Sequence, residues 1–323
     1  MPRQAQLSDV FTYLFVIIAG AIIFGFFAFF GFNMIRSSES LVSVEVVNTL
    51  EDSLSAFGVA MNTNTYLPDR PWPREVELRI TCQGISADDF EVPLPTTKAL
   101  FSPSTLKGTQ VEAWTTVWKF PYKATNLYYL ANARTHYVFV GEGLEELVTP
   151  ETGGIPARFN VEVRPSLTPS LVQNFARGKD FLKVVFFNQA PTLASSQTLR
   201  VLEVRSDDFE QGRVLFPTGE VPFFTRELLF GAIFTEDERT YACMARRALA
   251  SLDAVTRLYL EKLTLLTLKF PSCDYLPLKQ NMDSLLLLLA ASPQDPAALR
   301  ETAQRLFDLN QALLGDPRCA HVF

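Results

Sequence analysis

The chain has 323 residues, 48% of them hydrophobic, and 29 basic against 35 acidic side chains leave a formal net charge of −6. That length exceeds one small core and suits two modest domains. The acidic balance, with no Lys/Arg block, argues against general nucleic-acid binding, because a negative surface repels phosphate backbones.

Residues 1–9 read as a short tail. From Val10 to Ile35 no charged side chain occurs. A helix needs about 20 apolar residues to cross a bilayer, whereas a removed secretory signal carries an apolar region of roughly 7–15. The expectation is therefore a retained transmembrane helix over 10–35. Arg3 and Arg36 nearly balance across it. A cytoplasmic amino terminus with the bulk of the chain outside the cell membrane is the orientation expected. Ala21, Gly25 and Ala28 share one helix face, and such small-residue faces let helix backbones approach in lipid.

Val47, Leu50, Leu54, Phe57 and Met61 recur at steps of three and four. This narrow seam predicts an amphipathic stalk over 36–62. With no proline between Val10 and Leu67, the two segments predict one rod from about residue 8 to 62, roughly 80 Å long. The expected partners are membrane lipid and, through this helix, further copies or another protein.

The amino terminus carries a partial motif. Arg3-Gln4-Ala5 precedes Gln6-Leu7-Ser8-Asp9-Val10, with Leu14 further on. Together with an apolar helix leading into an amphipathic one, this resembles archaeal type IV pilin-like proteins. More broadly the chain is similar to uncharacterised archaeal single-pass membrane proteins with a cysteine-containing outer domain. The resemblance implies surface location and, for a pilin, cleavage before Gln6. Where that family places Glu, this chain has Val10, with Asp9 beside it.

Pro68, Pro71 and Pro73 mark a linker over 63–74. Then "EVELRITC" alternates Val76, Leu78, Ile80 and Cys82 with polar residues, the pattern of a half-buried strand. Strands are likewise predicted at 111–120, 136–140, 159–163, 181–187, 199–204 and 212–216. Turn residues separate them, which suggests an antiparallel β-rich domain over 75–222. Trp114 and Trp118 share a strand face and read as core. The sequence Asp-Asp-Phe-Glu occurs twice, at 88–91 and 207–210. The EF-hand order of ligands is absent, so a solvated turn with one buried Phe is expected rather than a calcium site.

Residues 223–323 read as a helical region packed on the sheet. Thr235 and Glu238 form a capping-box pattern for a helix over about 236–268. Ala245, Leu249, Leu252, Tyr259, Leu263 and Leu266 make its apolar stripe. A second helix holds "LLLLLA" at 285–290. A third starts at Asp295-Pro296 and ends at Gly315. The fold class expected is thus α+β: the long amino-terminal helix, an antiparallel sheet domain, and a helical hairpin or small bundle.

The four cysteines, Cys82, Cys243, Cys273 and Cys319, show no metal-finger spacing. They are either buried thiols or disulfides formed outside the cytoplasm. If bonded, Cys243 and Cys273 cannot pair, being roughly 40 Å apart along one helix. Cys82–Cys243 with Cys273–Cys319 is then preferred. His136 and His321 are the only histidines, and no nucleophile elbow, P-loop, dinucleotide or zincin motif occurs. No catalytic residue, metal or cofactor is assigned. The functional expectation is a membrane-anchored structural or interaction protein that binds a partner protein or surface polymer. The alternative is a pilin-like subunit, or a minor component of a filament or secretion assembly.

Overall fold

The computed structural model describes residues 18, 20–29, 44–56, 64–67, 71–88, 90–149, 153–167, 181–196, 199–291 and 295–323. Among the described residues fourteen strands form three sheets. The first holds β1 (Asn64–Leu67), β7 (Val111–Lys119), β8 (Lys123–Asn132) and β5 (Ala99–Phe101), in that order. The second, in order β4-β3-β2-β6, uses β2 (Val76–Ile80), β3 (Gly84–Ala87), β4 (Phe90–Pro93) and β6 (Thr105–Gly108). The third runs β10-β9-β11-β12-β13-β14, from β9 (Thr135–Val140), β10 (Val161–Arg164), β11 (Phe181–Phe187), β12 (Leu199–Arg205), β13 (Gly212–Phe216) and β14 (Gly219–Phe223).

The antiparallel expectation is corrected here. Strands β10, β9, β11 and β12 pair in parallel, and only β13 and β14 complete the third sheet antiparallel. The reason lies in burial on both faces, which parallel strands require and which gives them near-continuous apolar runs. In β9 and β11, Phe139, Val185 and Phe187 join the main core, while Val138, Val140, Val184 and Phe186 face a second, smaller cluster. Strand β7 is likewise buried on both faces rather than half-buried. Strand β2 does alternate as its sequence predicts, with Val76, Leu78 and Ile80 inward. The stretch expected to be a linker contributes β1, paired in register with β7.

Among the described residues from 145 onward five α-helices follow: α1 (Glu145–Val148), α2 (Arg226–Phe234), α3 (Glu238–Lys269), α4 (Leu276–Ala290) and α5 (Pro296–Leu314). Helix α2 is apolar all round, and Leu228 to Phe234 are all buried. Its Phe230 and Phe234 pack with Trp114, Tyr129, Phe159 and Tyr137 into one aromatic cluster. Thr225 caps α2, and its hydroxyl also accepts from Trp118 Nε1 at 3.1 Å.

The capping box expected at Thr235 and Glu238 does not form. Asp237 caps α3 instead, accepting from the backbone N–H groups of Arg239 and Thr240 at 2.9 Å. Thr235 closes α2, and Glu238 takes the hydroxyl of Thr218. Of the α3 stripe, Leu249, Leu252 and Leu263 are buried, and Ala245, Tyr259 and Leu266 pack at its margin. In α4 only Leu285 of the leucine run is buried, and Leu287 is exposed. Helix α5 begins as expected, with Asp295 accepting from Ala297 and Ala298 and Pro296 in the first turn.

The expected transmembrane helix is also corrected. Among the described residues no helix is long and apolar enough to cross a membrane. Within 10–35 the described helical residues are 18 and 20–29. At 1.5 Å per residue the latter run spans roughly 15 Å, half a bilayer core. Residues 1–17, 19 and 30–43 lie outside the described residues. Residues 44–56 are helical, but their seam does not line a free stalk. Val47, Leu50 and Leu54, with Val46, are buried in the core of the folded body. Lys98 Nζ reaches Ser55 Oγ at 2.7 Å across this contact. Phe57 and Met61 lie outside the described residues.

Candidate functional site

Register in the parallel sheet places three polar side chains side by side. Lys183 of β11 pairs with Tyr137 of β9 on one side and Arg200 of β12 on the other. All three stand in one row on the same sheet face, near the amino ends of the strands. The next row on that face is apolar, with Phe139, Val185 and Leu202 in the core. Strand-to-strand spacing of about 4.8 Å sets the separations within the row.

The junction between α2 and α3 covers this row. Lys183 is 6% exposed, and its ammonium donates to the Thr235 carbonyl. Among the described residues no carboxylate lies within ion-pair distance of it. Glu236, the next residue, accepts from Arg200 Nε at 3.1 Å and from the Ser104 hydroxyl. A cavity of about 220 Å³ opens between the row, Glu236, and Pro103 to Thr105 before and within β6. Thr135, Phe181 and Asn132 complete its wall.

Burial shapes the protonation of this group. Desolvation pulls the Lys183 pKa down to about 7, against the attraction of Glu236 and with help from Arg200. Burial acts to raise the Glu236 carboxyl. Hydrogen bonds from Ser104 and Arg200 and the nearby Lys183 charge outweigh it and hold the group below its ordinary value. Burial, then the charge of Glu112, push the Tyr137 phenol upward, so it stays a neutral donor. The Tyr137 hydroxyl is buried and has no hydrogen-bond partner among the described residues.

None of this cavity was singled out by motif. Its one sequence signal is Lys183 itself, a lone charge inside the apolar strand "FLKVVFF". The residues that the sequence did single out lie elsewhere. Cys82 and Cys243 are paired, with Cα atoms 6.1 Å apart, and Cys273 and Cys319 are paired at 5.7 Å. Both values fall in the bridging range, and the connectivity is the preferred one. Ala21 and Gly25 are exposed and Ala28 half-exposed. Among the described residues no heavy atom lies within 4 Å of where a Cβ on Gly25 would sit.

His136 meets Glu162 at 3.4 Å on the neighbouring strand, while His321 is exposed. Trp114 and Trp118 are buried core residues. Of the repeated Asp-Asp-Phe-Glu sites, the first runs from a turn at Asp88 into β4 at Phe90, the second is a bend, and Phe90 and Phe209 are half-buried rather than buried. Asp88 pairs with Arg74 at 3.2 Å, and Asp208 with Arg300 at 3.0 Å. Asp89 lies outside the described residues. Among the described residues no group of three or more His, Cys, Asp or Glu side chains could hold a metal ion.

No family model, curated protein or solved structure matches this chain.

Proposed function

We propose that this chain is a non-catalytic structural or interaction protein that works outside the reducing cytoplasm, where its folded body binds a partner protein or a surface polymer. The observation that carries this reading is the pairing of all four cysteines, with none left free. Disulfides persist in oxidising compartments and are rare elsewhere. Each bond also ties a different part of the body. Cys82, just after β2, is tied to Cys243 on α3, and Cys273, just after α3, to Cys319 beyond α5. Chemical cross-linking of whole cells, followed by mass spectrometry, tests the binding role. Cross-links from the folded body to one recurrent envelope partner are expected. A body that gives only internal cross-links would count against it.

A second reading, a pilin-like subunit, is favoured by residues 20–29. Ile22, Phe24 and Phe27 of this helical run are 67–75% exposed within the described chain. In this reading they pack against other copies. Intact mass of protein from its source organism separates the two. Loss of residues 1–5 supports the subunit reading, and a retained Met1 opposes it.

A further inference from the structure

The cavity over the β9-β11-β12 row holds donor capacity left over from the bonds made among the described residues. Lys183 spends one N–H on the Thr235 carbonyl and keeps the others. Tyr137 offers a buried hydroxyl with no hydrogen-bond partner among the described residues. Thr105 and Thr135 line the same space, and no hydrogen bond is made by either hydroxyl among the described residues. The acceptors present are already engaged, since Glu236 takes Arg200 and Ser104. A buried ammonium without a carboxylate partner is costly, as is a buried hydroxyl left unbonded. Both costs vanish if a ligand brings an anionic acceptor between them.

We propose that this cavity binds a small organic monocarboxylate, with its carboxylate held by Lys183 and Tyr137 and its apolar body against Phe181 and Pro103. Size limits the ligand. A cavity of about 150 Å³ holds benzene, so about 220 Å³ takes an acid near the size of benzoate. Charge limits it as well. Lys183 and Arg200 line the site with Glu236, one positive charge in excess when Lys183 is protonated, while Asp237 acts on Lys183 from the α2–α3 junction and Glu112 acts on Tyr137. One added negative charge neutralises the lining, and a dianion such as phosphate would leave an excess beside Glu236. The proposal does not depend on which partner the folded body binds. An occupied or empty cavity is compatible with either reading above.

The test is calorimetric titration of the full chain with benzoate, butyrate and acetate at pH 6.5, with benzamide as the neutral isostere of benzoate. Benzoate is expected to bind, and benzamide to bind at least about 10-fold more weakly, since a charged hydrogen bond is lost. Lys183→Met should weaken benzoate by about 10–100-fold, and Tyr137→Phe by about 5–10-fold, with each variant's folding checked by its cooperative thermal transition. At pH 8 benzoate should bind with net proton uptake, read from titrations in buffers of different ionisation enthalpy. Tyr137→Phe leaves Lys183 in place and keeps this uptake. Equal binding of benzoate and benzamide would overturn the proposal. So would unchanged affinity in Lys183→Met, or no heat with any of the acids.

Discussion

Lys183 shows at the scale of one residue how the fold bears a cost for something it does not itself use. Its pKa is pulled from 10.5 to about 7. Between those values the unfolded chain holds the proton and the folded chain does not. Unfolding free energy therefore rises with pH across that window, and the penalty of burying the charged form is full below about pH 7. Lys183→Met is expected to stabilise the empty protein by about 2–4 kcal/mol at pH 6 and to flatten its pH dependence between 7 and 10. Chemical denaturation at several pH values measures both. A loss of stability at pH 6 would mean that the ammonium is well satisfied as it stands. Gly231 gives the opposite case. A Cβ there would lie 2.7 Å from the ring of Phe101. Gly231→Ala is expected to cost about 1–3 kcal/mol through overpacking, seen as a lower denaturation midpoint.

Elements show which parts of the fold could be read in the sequence. The predicted strands at 111–120, 136–140, 181–187, 199–204 and 212–216 match β7, β9, β11, β12 and β13 closely, because each is an apolar run bounded by turn residues. Their parallel pairing was hidden, since register between distant strands leaves no local mark. Helix α2 was missed because a helix buried on every side lacks amphipathic period. The cap was misplaced because Thr235 and Asp237 compete, and only packing decides. The cavity is harder still to see: its groups come from β9, β11, β12 and the α2–α3 junction, far apart in sequence. Docking of α3 rests on one face. Cys243, Arg247 and Ser251 follow one another at steps of four, and Arg247 donates to the carbonyls of Leu94, Pro95 and Cys82. Arg247→Met should cost about 1–2 kcal/mol in denaturant unfolding, since two part-buried carbonyls and one exposed one lose a charged donor. A smaller loss would place the docking energy in the apolar contacts alone.

At the scale of the whole molecule, the two cysteine pairs close loops of very different length, 161 and 46 residues apart. The longer encloses β3 to β14, α1, α2 and the start of α3. The shorter holds the residues after α5 against α3 and α4, where Tyr275 and Asn310 also bond that segment at Ala320 and Val322. In the chain-entropy limit each bond contributes about 4–5 kcal/mol, enough that reduction should leave a marginal fold. The measurement that tests the account most directly is thiol trapping in the source organism. Cells are acid-quenched, free thiols are alkylated, and the protein is digested without reduction. Linked peptides joining Cys82 to Cys243 and Cys273 to Cys319 are expected, with no alkylated cysteine. Alkylation of all four would place the chain in a reducing compartment and contradict it.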